Sequence, residues 1–541
     1  MTGTSLPYNR VPHSSALFLD YLYHFDRVSG FYSGPPYDLS SYKAVASQLP
    51  SFESKRGEVC AILERQNKAF GCGAATFENI QRLSQAGSFA VVTGQQVGLF
   101  GGPAFTIFKA LTTVRLASYL TEQGMPVAPV FWLATQDHDL AEVAEVATFD
   151  EEYNLIPLAD HGHSPSPRSP VGDVRLTHES AEALARLEAS LPAGPPRDAL
   201  LQDLRETYAP GATWVEAFGR FMARLLSRWG VILLNPLDSA VHPISAPVYW
   251  QALERTPELR AKLLERSQAL GRSGYHAQVK VAEDSTLVFL TREGGRTPIH
   301  QRDGGYYIGE TERTRLEELR SELARDPLAF SPNVLLRPLV QDALLPTVAY
   351  VAGPSELAYL AQAQVLYQGL GRPQPVCFPR AAFTLVDHRI EKLLDKYQVS
   401  VEDVWLGEEH LSRKIAAVGL AEGWSERFQQ TQQEMASLLA RLRGDIERLD
   451  PTLLETLHHV EEKIRYQMDR LQAKISRAGL ARSELLQRHA QALTRFLMPK
   501  KNLQEREVSG AYFLGRAGYE LLERLLSQIQ IDSPGHQVVS L

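Results

Sequence analysis

Three short stretches of this 541-residue chain gather side chains able to do acid–base or anion chemistry. In the first, Gln136-Asp137-His138-Asp139 follows the apolar run Val127 to Leu133. A histidine between two aspartates can orient an amine, act as acid or base, or bind a metal. Asp139, three residues before Glu142, also reads as a helix cap followed by a first-turn carboxylate. In the second stretch, Arg337 and Asp342 sit in otherwise apolar surroundings. Buried charges need partners, so these two either pair with each other or face a ligand. Ser331-Pro332, just upstream, reads as a helix cap and first helical position. In the third, Phe378-Pro379-Arg380 ends an apolar run on an arginine suited to bidentate contact with a carboxylate or phosphate.

Two glycine turns accompany these groups. Residues 89–109 read FAVVTGQQVGLFGGPAFTIFK: an apolar strand, a glycine-rich polar turn containing Gly94-Gln95-Gln96, and an amphipathic helix with Pro103 at its first position. A helix start of this kind offers backbone N–H groups to an anion. The spacing is neither GxGxxG nor GxxxxGK[ST], so neither standard nucleotide fingerprint applies. Gly353-Pro354-Ser355-Glu356 repeats the Gly-Pro helix opening. Two such openings at one sheet edge aim two helix starts into one cleft, while Glu356 also complements the helix dipole. His161 and His163 lie in a Pro- and Ser-rich loop, residues 157–175, and read as exposed; His276 is placed on a strand face. There is no CxxC, HExxH, nucleophile elbow or Ser/His/Asp order, and no metal site is assigned.

The elements that must position these residues form an α/β fold. Continuous apolar runs at 89–92, 127–133, 231–234, 347–352 and 375–378, separated by helical stretches, are the signature of a parallel sheet covered on both faces. The expected architecture is a five-stranded Rossmann-like core over residues 1–385, interrupted by insertions at about 150–229 and 255–330. Residues 274–310 carry GYHAQVKV, TLVFL and YYIG between Glu293-Gly294-Gly295 and Asp303-Gly304-Gly305, and read as a small antiparallel meander. From 386 to 500 the pattern is helical. Phe428, Met435, Leu438, Leu442, Ile446 and Leu449 recur at heptad spacing; Asp450-Pro451-Thr452 breaks it; Leu453, Leu457, Val460, Ile464, Leu471 and Ile475 resume it. This reads as an antiparallel coiled-coil hairpin, used as a dimerisation arm or packed as a bundle on the core. Residues 501–541 return to the core through His536-Gln537-Val538-Val539.

Composition bounds the function. The chain is 44% hydrophobic and 22% charged, with net charge −7, so no basic footprint for nucleic acid exists. No apolar run approaches the ~18 residues of a membrane span, and the first residues lack the regions of a signal peptide. Three scattered cysteines, Cys60, Cys72 and Cys377, fit a reducing cytoplasm.

The segments TGQQVGLFGGPAFTIFKA, PVFWLATQDHDLAEV, SPNVLLRPLVQDALLPTVAYVAGPSELAYLAQ and FPRAAFTLV, in this order and followed by a coiled coil and a terminal HQVV, resemble the bacillithiol biosynthesis cysteine-adding enzymes. The resemblance spans nearly the whole chain. It implies a ligase that joins cysteine to glucosaminyl-malate through an amide. It also implies a core related to nucleotidyltransferases, with connecting-peptide insertions and a coiled coil that forms a homodimer. The His-Ile-Gly-His and Lys-Met-Ser-Lys-Ser motifs of those relatives are absent; QDHD stands where the first would be. An amide made from a free carboxylate needs activation, and ATP with Mg²⁺ is the expected agent. On this reading Gly94, Gln95, Gln96, Gly353 and Pro354 face the nucleotide. His138, Asp137 and Asp139 handle the attacking amine, and Gln136, Arg337, Gln341, Asp342, Glu356 and Arg380 contact substrate. The alternatives are another adenylating or nucleotidyl-transferring enzyme on the same core, and a dimeric scaffold that binds the metabolite without turnover.

Overall fold

A strand buried on both faces must be largely apolar, and the continuous runs in this sequence become such strands. The computed structural model describes residues 3–49, 55–164, 169–292, 294–419, 424–481 and 483–541. Its central sheet comprises β1 (Phe89–Gln95), β2 (Val127–Leu133), β3 (Ile232–Leu234), β4 (Thr347–Ala352) and β5 (Val376–Pro379). All pairings are parallel, in the spatial order β5-β4-β1-β2-β3. Every residue of β2 and β4 is buried. Helix α1 (Phe105–Glu122) follows β1 and packs on β1 and β2, α2 (Arg337–Leu344) leads into β4, and α3 (Pro354–Gly369) leaves it.

Several local expectations are corrected. Helix α1 begins at Phe105, after Pro103, because Pro103 bridges to Ser509 and the Ala104 N–H donates to the Val508 carbonyl, 2.9 Å. Ser331-Pro332 is not a cap: it lies in the strand Phe330–Pro332, and in the turn that leads into α2 Asn333 Oδ1 accepts from the Leu335 and Leu336 N–H groups at 3.1 and 3.0 Å. The meander is a five-stranded antiparallel sheet of 312–314, 305–308, 295–302, 285–292 and 330–332, in that spatial order. GYHAQVKV contributes no strand to it, so His276 sits on an irregular segment. Within the expected loop, Leu155–Ala159 is a strand paired with Glu145–Phe149. Residues 165–168 of that loop, and Glu293 in the first meander turn, lie outside the described residues. His161 and His163 are exposed.

Helices α4 (Trp424–Leu449) and α5 (Leu453–Ala481) form the hairpin, turning at Asp450-Pro451-Thr452. The Asp450 carboxylate accepts from the Thr452 N–H, 2.9 Å, which fixes the turn. Leu438, Leu442, Leu449, Val460 and Leu471 remain exposed along it. The chain then returns: His536–Ser540 pairs parallel with Ala382–Val386 and antiparallel with Thr4–Leu6, tying the two ends of the chain to its middle.

Candidate active site

In the order β5-β4-β1-β2-β3, the chain runs outward from β1 through β2 to β3, then crosses to β4 on the other side of β1. A crevice opens beyond the carboxyl ends of the strands at such a switch point. A cavity of about 430 Å³ lies there. The end of β1 supplies Gly94, Gln95 and Gln96 to its wall, the end of β2 Trp132 and Asp137, and the start of α3 Gly353, Pro354 and Glu356. A side chain at Gly94 would be crowded: its Cβ would lie 3.3 Å from Trp132 and 3.4 Å from the Tyr350 hydroxyl. Gly98 is required more strictly, since its Cβ would meet the Gly102 Cα at 2.8 Å. The turn spends its own amides internally. Gly101 N–H donates to the Tyr208 hydroxyl, 2.8 Å, and Gly102 N–H to the Leu99 carbonyl, 2.9 Å.

The β4 side of the cavity is cationic. Arg337 donates to Gln341 Oε1, 3.1 Å, and to the hydroxyls of Tyr350 and Tyr359, 3.3 and 3.1 Å. Burial works against its charge, but the two tyrosine oxygens and Glu356 outweigh it and hold the arginine above its ordinary pKa. Lys109, from α1, is only 2% exposed and lies 2.5 Å from Glu356 Oε2. It also donates to the Gly94 carbonyl, 2.5 Å, and Gln95 Oε1, 3.1 Å, and so clamps the end of β1 to the start of α3. Burial lowers the lysine's pKa, countered by Glu356. For Glu356, burial pushes upward, but Lys109, the Gly353 N–H at 2.8 Å and the Tyr350 hydroxyl at 2.8 Å prevail, and the carboxylate is held below its usual range.

The β2 side is acidic. Gln96 Nε2 donates to Asp137 Oδ2, 2.9 Å, and Glu142 Oε2, 2.6 Å, so one amide gathers two carboxylates on the wall. The cavity is therefore bipolar. It can hold an ammonium group at one end and a carboxylate at the other.

Of the residues singled out in the sequence, Gly94, Gln95, Gln96, Asp137, Arg337, Gly353, Pro354, Glu356 and Arg380 line this cavity. Five others are off its wall. His138 is exposed, its Nδ1 3.5 Å from Asp137 Oδ1. Asp139 caps a short helix by accepting from Glu142 N–H, 3.3 Å. Gln136 donates to the Pro236 carbonyl, 3.3 Å. Gln341 is buried against Arg337, and Asp342 accepts from Tyr367, 2.5 Å, and Gln341, 3.0 Å. Arg337 and Asp342 thus do not pair with each other: the first faces the cavity and the second an interior tyrosine. Burial raises the Asp342 pKa. Arg380, 5% exposed, is engaged by Glu505 at 2.5 Å. Sequence reasoning missed Lys109, Glu142, Tyr350, Tyr359 and Arg506. A signal existed for Lys109, a lone charge in the apolar start of α1, where a buried ammonium demands a partner.

Residues 1–381 match the model described as "Bacillithiol biosynthesis BshC, N-terminal Rossmann-like domain", and residues 383–541 match "Bacillithiol biosynthesis BshC, C-terminal coiled-coil domain". The chain belongs to the BshC family. Similar BshC proteins, each described as "Putative cysteine ligase BshC", come from Koribacter versatilis, 37% identical over 100% of both chains, and Solibacter usitatus, 35% identical over 100% of both. One from Salinibacter ruber is 33% identical over 97% of this chain and 96% of its own. The two BshC-family parts meet in the Arg380–Glu505 pair, one partner from each.

Proposed function

We propose that this protein is a cysteine ligase of bacillithiol biosynthesis, forming an amide between the cysteine carboxyl and the amine of glucosaminyl-malate. The bipolar cavity carries the reading. Amide formation brings an amine nitrogen to a carboxyl carbon, expels one carboxyl oxygen and removes a proton from the nitrogen. Arg337 holds the carboxylate with a fixed guanidinium fork. Asp137 and Glu142, gathered by Gln96, receive the ammonium group; one takes the proton whose loss frees the nitrogen lone pair, and the other the proton lost as the C–N bond forms. His138, beside Asp137, adjusts that carboxylate from outside the wall. Trp132 and Tyr350 shield the reacting atoms from water.

ATP supplies the activation that turns the carboxyl oxygen into a leaving group. The groups that would hold its phosphates are the first-turn amides of α3 at Ser355 and Glu356. Mg²⁺ would be held through those phosphates, whose negative charge it would offset. The exposed leucines of the hairpin support a homodimer through α4 and α5. No described helix is long and apolar enough to cross a membrane, in keeping with a cytoplasmic setting.

The test is purified protein with glucosaminyl-malate, cysteine, ATP and Mg²⁺, read by mass spectrometry, with ATP omitted in parallel. An ATP-dependent product with the mass of the amide supports the ligase. Absence of that product in both arms, with the substrates bound, overturns it.

A further inference from the structure

Beside the main cavity lies a second, of about 290 Å³. The two share Pro354, Ser355, Arg380 and Arg506. From that common partition the second cavity extends to Tyr8, His13 and Ser14 of the N-terminal segment and to Asn502 and Glu505 of the C-terminal part. The chemistry above uses none of these last five residues.

The charges around it do not cancel. Arg380 and Glu505 neutralise one another, 2.5 Å apart and almost fully buried. Arg506 has no equivalent partner. It makes no ion pair or side-chain hydrogen bond to any described residue, and its guanidinium rests only against the Phe105 ring, 6.0 Å from the centroid. Arg380 approaches the same ring at 5.3 Å. Two arginines thus approach one aromatic ring, and the Glu505 carboxylate pairs with only the first of them. The remaining polar groups, from Tyr8, His13, Ser14, Ser355 and Asn502, bring no negative charge. Net positive charge with neutral donors in a small chamber is the chemistry of an oxyanion site.

The rim is also held in an unusual backbone conformation. His13, Lys500 and Lys501 have φ of 63°, 49° and 62°, and His13 Nε2 lies 3.1 Å from the Lys501 carbonyl. Left-handed backbone at non-glycine residues costs about 1–3 kcal/mol each and clusters at ligand clamps. Three such residues meet at this rim, where the N-terminal and C-terminal segments touch.

We propose that the second cavity is a subsite for a compact oxyanion, a carboxylate or phosphate carried by a substrate that extends out of the main cavity, and that Arg506 binds it. The proposal rests on the ligase reading only in taking the main cavity as the place of reaction. It makes the C-terminal part of the chain a contributor to substrate binding as well as to assembly.

The experiment is calorimetric titration of the full-length protein at low ionic strength with two probes, succinate and inorganic phosphate. Arg506→Gln removes the charge. Ser14→Trp fills the chamber from a loop position that lines only the second cavity. Asp137→Asn alters only the main one. At least one probe should bind the unaltered protein, with Kd raised tenfold or more by Arg506→Gln and by Ser14→Trp and not raised by Asp137→Asn. The probe that responds identifies the oxyanion as carboxylate or phosphate. Arg506 is exposed and its side chain makes no hydrogen bond or ion pair with a described residue, so Arg506→Gln folds and decides the matter even where Ser14→Trp does not. The proposal is overturned if neither probe binds, if Arg506→Gln leaves Kd within twofold, or if Asp137→Asn weakens binding equally. None of these readouts needs turnover, so the subsite and the ligase reading fail separately.

Discussion

Replacing Lys109 with methionine tests whether the clamp between β1 and α3 is built as described. The ammonium is 2% exposed and sits 2.5 Å from Glu356, itself 20% exposed. Removing one partner of a buried pair leaves an uncompensated charge and costs about 3–5 kcal/mol. Glu356 keeps two donors, the Gly353 N–H and the Tyr350 hydroxyl, so the lower end, about 3 kcal/mol, is expected. That energy corresponds to roughly a 150-fold rise in the open population, at about 1.4 kcal/mol per tenfold. Hydrogen exchange of peptides covering α1, β4 and α3 measures it locally, without assuming that the whole chain unfolds in one step. The loss should also depend on pH. Without Lys109, burial dominates Glu356 and raises its pKa, so the variant regains stability relative to the parent as pH falls and the carboxyl protonates. Adding Glu356→Gln to Lys109→Met should recover at least about 1 kcal/mol, since the stranded charge is gone. A loss under about 1 kcal/mol, or a double variant no better than the single, would refute the reasoning.

Other consequences follow from the same geometry. Asp137→Asn and Arg337→Lys should each lower kcat/KM about a hundredfold, because one removes the proton acceptor and the other the planar fork; His138→Ala, outside the wall, should cost only about threefold in the same turnover assay. Glu505→Gln strands the buried Arg380 cation and should destabilise by about 3–5 kcal/mol, read as earlier proteolytic release of the C-terminal part. His536, fully buried with Nδ1 unpartnered among the described residues, has its pKa pushed down to about 4 by burial, which Glu505 opposes and Arg380 reinforces more weakly. A histidine depressed on folding contributes stability above its unfolded pKa of about 6.5 that is lost as pH falls, so docking of residues 536–540 should weaken by about 3 kcal/mol between pH 6.5 and 4. His536→Phe should flatten that slope in pH-dependent hydrogen exchange. Leu438→Glu with Leu442→Glu should convert the proposed dimer to a monomer in sedimentation without altering the core, since both leucines are exposed.

The amino-acid sequence by itself determined the sheet and the hairpin. Burial on both faces leaves a parallel strand few polar positions, so Val127–Leu133 and Thr347–Ala352, apolar but for Thr347, are visible with their true ends. A helix hairpin writes itself as heptads interrupted by Asp450-Pro451-Thr452, because both signals are local. The site was legible at strand ends, as with Asp137, Gly94 and Gly353, and at Arg337, a charge set in apolar surroundings. Which charge meets which was decided by the tertiary structure. Arg337 and Asp342 share one helix and one apolar context, and only the packing of that helix sends the first into the cavity and the second against Tyr367. Lys109 finds Glu356, and Arg380 finds Glu505, across long stretches of chain. Ion pairing acts through space at a few ångströms and leaves no periodic trace along the chain, so these partners emerge only when the sheet order brings β1 beside β4 and the C-terminal segment back to the core.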